Sequence, residues 1–209
     1  MGFKILKILP VFILLLSFVS CGSKEIDKSL FKEGDIVFQN RKARASDFTV
    51  ILSNSKYNNV GILYTRGGKW YVFEASQPVE LIPFNSWVKE GENNHFVLKR
   101  LKEEETIMTK EAIAKIDELI KEFLGRPFDS KYEWSDKAFY PSELVWKVFE
   151  RALNIELSPL QTLADFNLSN ETIKSKIKEI YGNNVPLYEE LVTPAAIYAS
   201  PHLITIIEN

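Results

Sequence analysis

Apolar residues in this chain fall into three regimes. From Ile8 to Val19 they are nearly continuous, from Ile36 to Leu101 they come in short runs of strand length, and from Thr109 onward they recur at helical spacing. "EGDIVFQ" (33–39) is a compact apolar run bounded by Gly34 and reads as a strand. "ASDFTVILSNS" reads as a short helix capped by Ser46 or Asp47, with Phe48, Ile51 and Leu52 on one face. In "NVGILYTRGGKWYVFEA" two β-rich segments, 60–64 and 70–75, flank Arg66-Gly67-Gly68, which predicts a hairpin. "VELIP", a short helical "FNSWVKEG" and "HFVLKRL" extend the sheet.

At Thr109 the period changes. Ile113, Ile116, Leu119, Ile120, Phe123 and Leu124 share one helical stripe that Thr109 can cap and that Gly125 and Pro127 end. A second helix starts at Pro141, where a fixed φ and a missing N–H suit the first turn, and carries Leu144, Val145, Val148, Phe149 and Leu153 to about Asn154. A third spans 171–181 and stops at Gly182, and "PHLITII" returns as a strand. The fold class is α+β, a small, mostly antiparallel sheet packed with helices.

The first regime is not part of that fold. Lys4 and Lys7, the apolar run and Ser20-Cys21-Gly22 have the layout of an export signal, and the run is shorter than the about 20 residues that a spanning helix needs. Cys21 is the single cysteine and sits at the expected cleavage point. "SFVSC" resembles a bacterial lipoprotein signal, with Phe18 in place of the more usual leucine, which makes Cys21 the lipidated first residue of the mature chain. The expected organisation is a signal peptide over 1–20, a tether over 21–32 and one domain over 33–209, anchored to a membrane in the cell envelope, on the periplasmic or outer-membrane side.

Composition narrows the chemistry. The formal net charge is −2, and setting aside Lys4 and Lys7, one positive charge each, leaves −4, the opposite of a nucleic-acid footprint. His95 and His202 are the two histidines, and no cluster has zinc-ligand spacing. There is no glycine-rich phosphate loop, and neither metal nor cofactor is expected.

A series of blocks then carries a family resemblance: "GDIVFQ", "SKYNNVGILY", "YVFEASQPVEL", "FLGRPFD", "YEWSD", "YPSELVWKVFERAL", "DFNLS" and "TPAAIYAS". In this order they resemble the permuted papain-like amidases of the YiiX type, a branch of the NlpC-like cell-wall hydrolases. The resemblance implies a circularly permuted papain-like fold. Its histidine lies in a "SHVGI"-like strand, its glutamate in a "YEA"-like strand and its cysteine at a "YCSELV"-like helix start. Those positions are Asn59, Glu74 and Pro141 here, so of the three only the glutamate is retained.

The chemistry explains the family pattern. A helix N-terminus stabilises a thiolate, an imidazole moves the proton, and a third residue orients the ring. A pyrrolidine ring cannot attack a carbonyl carbon, and a carboxamide does not titrate near neutrality. In subtilisin, loss of the nucleophile or its base lowers kcat by about 10⁶. The expectation is therefore a binding protein that has lost catalysis, holding a peptide, a cell-wall fragment or a lipid in the old cleft through Glu74, Tyr140 and Trp134. Two rivals stay open: an amidase or esterase that has recruited Ser142, Tyr140 or Glu74, and a structural subunit docked on an envelope protein. Ser142 diverges by about 100° from position 141 on a helix and reads as a first-turn hydrogen bonder. Trp146 reads as core, and His95 as a solvated residue at a strand edge.

Overall fold

A computed structural model of the chain describes residues 26–41 and 48–209. The expected signal segment, Cys21 and the expected caps Ser46 and Asp47 lie outside the described residues. Among the described residues no helix is long and apolar enough to cross a membrane.

Six antiparallel strands form the main sheet: β1 (Ile36–Gln39), β2 (Asn59–Arg66), β3 (Lys69–Ala75), β4 (Val79–Pro83), β5 (Val97–Leu101) and β8 (Leu203–Glu208), in the order β4-β3-β2-β1-β5-β8. A second, two-stranded sheet pairs β6 (Gln161–Thr162) with β7 (Glu190–Leu191). The helices are α1 (Phe48–Ser53), α2 (Phe84–Glu90), α3 (Glu104–Ile107), α4 (Lys110–Phe123), α5 (Pro141–Leu153), α6 (Glu171–Tyr181) and α7 (Pro194–Tyr198).

The period-two pattern of the strands divides the interior into two cores. Ile36, Phe38, Val60, Ile62, Phe73 and Ala75 point to one face, where Ile120 and Phe123 of α4, Leu144, Val148 and Phe149 of α5, and Ile197 of α7 cover them. Val37, Leu63, Val72 and Leu98 point to the other face, covered by Phe84, Trp87 and Val88 of α2 together with Phe96. Phe31, which the sequence reading places in the tether, is buried in this second core and packs edge-on against Trp70 and Phe84. Arg100 holds that segment in place: it forms a bidentate ion pair with Asp35 and also donates to the carbonyl of Leu30.

The hairpin forms where expected, and Gly67 and Gly68 both take positive φ, as a two-residue turn that matches strand twist requires. Thr109 caps α4 through a hydrogen bond from Ala112 N, and Asn154 in the left-handed region ends α5. The pattern did not disclose α3, α7 or the β6–β7 pair, which are too short to develop a period.

Gly61 shows how closely β2 and β3 fit. A Cβ there would lie 2.4 Å from Val72 Cγ1 and 2.9 Å from the carbonyl oxygen of Phe73. Gly61→Ala is expected to lower stability by about 1–3 kcal/mol through overpacking, readable as a shifted urea midpoint at constant m. An unchanged midpoint would contradict this fit.

Candidate functional site

The two strand positions implied by the resemblance lie side by side. Asn59 opens β2, Glu74 is the penultimate residue of β3, and both are fully buried. Phe73 and Ala75 belong to the core under α5, so the pleat turns Glu74 towards α2. There its carboxylate meets donors from four directions. Oε1 pairs with Arg41 Nη1 at 2.8 Å and accepts from Ser76 Oγ at 3.0 Å, while Oε2 accepts from Asn59 Nδ2 at 2.7 Å and from the indole N–H of Trp87. The second arm of Arg41 reaches Glu90 at 2.6 Å. Asn58 clamps the Arg41 backbone, accepting from its N–H at 2.7 Å and donating to its carbonyl at 2.8 Å. The remaining amide oxygen of Asn59 is buried without a hydrogen-bond partner.

The helix start is tied elsewhere. Pro141 is buried as the first residue of α5, and the preceding Tyr140 is completely enclosed, its hydroxyl accepting from Val192 N at 3.1 Å. Burial raises the Tyr140 phenol well above its usual range, helped by the charge of Glu143. Ser142 Oγ donates to the carbonyl of Val192 at 2.8 Å, so the two residues beside position 141 are spent on one backbone unit. Ser142 is thus the first-turn hydrogen bonder that the spacing predicts.

Behind this turn lies a buried glutamate–lysine pair. Glu143 Oε1 accepts from Lys147 Nζ at 2.8 Å, and the same ammonium reaches the Ser135 carbonyl at 2.7 Å and Asp136 at 3.1 Å. Burial pushes the Glu143 carboxyl up to about 8, against the pull of Lys147. Trp134 covers the pair: Lys147 Nζ sits 4.5 Å from its ring centroid, and Trp146 packs edge-on against it.

Of the ligand-binding residues expected from sequence, Glu74 and Tyr140 are enclosed and bonded to the protein itself. Trp134 is half-buried and lines a cavity of about 480 Å³ with Lys131, Glu133, Ser135, Tyr181 and Glu189 among its walls. Its backbone N–H is fixed by Glu189 Oε1 at 2.9 Å. His95 is half-buried rather than solvated, because Nδ1 meets the backbone oxygen of Asn209 and the ring stacks on Tyr57. Trp146 is core, its indole N–H donating to the Ser158 carbonyl at 2.8 Å. Among the described residues no three His, Cys, Asp or Glu side chains gather as a metal site.

Sequence reasoning missed Arg41, Ser76, Trp87 and Glu90. A glutamate in an otherwise apolar strand, with no histidine beside it, calls for a buried cation, and that was the available signal for an arginine. Nothing in the one-dimensional pattern says which one.

An antiparallel sheet, a polar pair at adjacent strand ends and a proline-started helix packed on β2 and β3 agree with the permuted papain-like scaffold that the resemblance implies. Comparison with known proteins gives the family. Residues 30–207 match the model of the permuted papain-like amidase enzymes, the YaeF/YiiX or C92 family, and the chain belongs to it. It is 37% identical over 173 residues to the uncharacterized protein YiiX of Escherichia coli K12, covering 83% of this chain and 84% of that protein. It is also similar to a crystal structure described as metalloprotein yiiX from Escherichia coli O157:H7, with a TM-score of 0.78, 36% identity, and coverage of 85% of this chain and 97% of that one.

Proposed function

We propose that this chain is a family member without hydrolytic activity, anchored in the cell envelope through Cys21, that acts by binding a peptide-like ligand. One observation carries the loss of catalysis: proline occupies the nucleophile position and a carboxamide the base position, while Tyr140, Ser142 and Glu74, the groups available as replacements, are buried and committed to protein partners. A purified sample that cleaves amide or ester substrates over many cycles, in proportion to its own concentration, would refute this reading.

The burial of Glu74 and Tyr140 moves the proposed binding surface away from the old centre to the Trp134 cavity. Its walls carry Lys131, Glu133, Asn184 and Glu189 beside two aromatic rings, which suits a polar peptide or cell-wall fragment better than an acyl chain. The solved relative is described as a metalloprotein.

In a thermal-shift screen of soluble cell-wall peptides, binding should raise Tm without release of product, and Trp134→Ala should abolish the shift. A well-folded sample with no hit across the screen would count against ligand binding. It would favour the second reading, a docked structural subunit, which the closed centre also supports and which a membrane pull-down would detect. For the anchor, wild-type protein should incorporate labelled palmitate and sediment with membranes, whereas Cys21→Ser should do neither.

A further inference from the structure

We infer that Arg41 has taken over the charge of the missing imidazolium, so that Glu74 no longer stabilises the charged form of a base even if histidine is returned to position 59. The inference rests on the non-hydrolytic reading above and goes beyond it, to a residue that neither the family pattern nor the sequence identified. An ionised carboxylate offers about four acceptor positions. Glu74 meets four donors, from Arg41, Ser76, Asn59 and Trp87, so only the position that Asn59 now holds opens to an imidazole at 59, and the counter-charge stays with Arg41. In a member with histidine at position 59, one of those positions would hold an N–H of the ring, and the carboxylate would stabilise the ring's positive form. Here the cation is a guanidinium, which stays charged across the working pH range. It is not a loose surface contact: its side chain is 7% exposed, its second arm lies at ion-pair distance from Glu90, and its backbone is clamped by Asn58, the neighbour of position 59.

Asn59 fits the same account. It gives Glu74 one N–H and no charge, while its amide oxygen stays buried without a hydrogen-bond partner. A neutral donor is what a carboxylate already neutralised by an arginine can accommodate. An imidazolium there would be a second buried cation competing for a single carboxylate. Arg41 is therefore a positioning residue that holds Glu74, in the place an imidazolium would take.

The test uses the full chain carrying Asn59→His and Pro141→Cys, with and without Arg41→Ser, and follows histidine titration by NMR and thiol alkylation by iodoacetamide at pH 7. With Arg41 present, the introduced imidazole should titrate below the about 6.5 of free histidine, and the thiol should react like an ordinary one. Adding Arg41→Ser should raise that titration by at least one pH unit and speed alkylation at least tenfold. Identical titration and alkylation in the two proteins would overturn the inference. So would an imidazole titrating above the free value while Arg41 is present, a result that needs only the two-substitution protein and so decides the matter if the Arg41→Ser form does not fold. Turnover by the wild-type chain would instead end the non-hydrolytic reading and leave this titration test intact.

Discussion

Arg41→Ala is expected to cost the folded state about 3–5 kcal/mol, the usual penalty for breaking a buried ion pair by removing one partner. The reason is Glu74, which is fully buried and would keep three neutral donors but lose its counter-charge. Glu90, half-exposed on the other arm, can turn to solvent and adds little. Glu74→Gln in the same chain should recover most of the loss, because an amide with no charge no longer needs the cation. Arg41→Lys should recover only part of it, since a single ammonium cannot span both carboxylates as the two guanidinium arms do. Urea unfolding of these proteins and of Glu74→Gln alone, at one pH, closes the cycle and measures the coupling. A cost below about 1 kcal/mol for Arg41→Ala, or no recovery in the double variant, would mean that the pair does not neutralise itself as the distances indicate.

Much of the sheet was legible because its strands announce themselves in the chain. The hairpin at Gly67-Gly68, the capped stripe of α4 and the proline start of α5 each carry a local signal that tertiary packing did not override. The positions of Asn59, Glu74 and Pro141 were legible through the resemblance, and the pairing of the first two is a matter of adjacent strands. What was hidden depends on faces and on distant partners. That Glu74 looks towards α2 rather than α5 follows from which of its neighbours pack under α5, and those contacts bring together residues far apart in sequence. Ser142 and Tyr140 were weighed as reactive groups, yet both are bound to Val192, some fifty residues away, and no local pattern connects them. The burial of Lys147 was hidden in the same way, since an i, i+4 Glu–Lys pair on a helix ordinarily reads as a solvated one.

That pair sets the second large effect, a stability that falls as pH rises. Glu143 is held up to about 8 from a starting value of 4.5 because burial penalises its charged form more than Lys147 rewards it. The folded chain therefore binds the proton more tightly than the unfolded chain does. The stabilisation is complete below about 4.5 and is lost progressively as pH climbs towards about 8. At about 1.4 kcal/mol per pH unit, the loss over that interval is on the order of 5 kcal/mol. Asp35 and Asp129, also raised by burial, act in the same direction. Asp117 and Asp136, lowered by Lys121 and Arg151, act oppositely, but in a window below their starting value of 3.8, where acid removes their contribution. The stability optimum should therefore lie on the acid side, near pH 4–5, with a decline towards pH 8. Glu143→Gln imitates the protonated form and should flatten most of the decline between pH 5 and 8, because Lys147 keeps the Ser135 carbonyl and Asp136. The opposite slope, with the wild type gaining stability over the same range, would mean that the ammonium outweighs burial and that the pair is fully ionised. The two possibilities differ in sign, so denaturation curves at pH 5 and pH 8 for the two proteins are sufficient to decide between them.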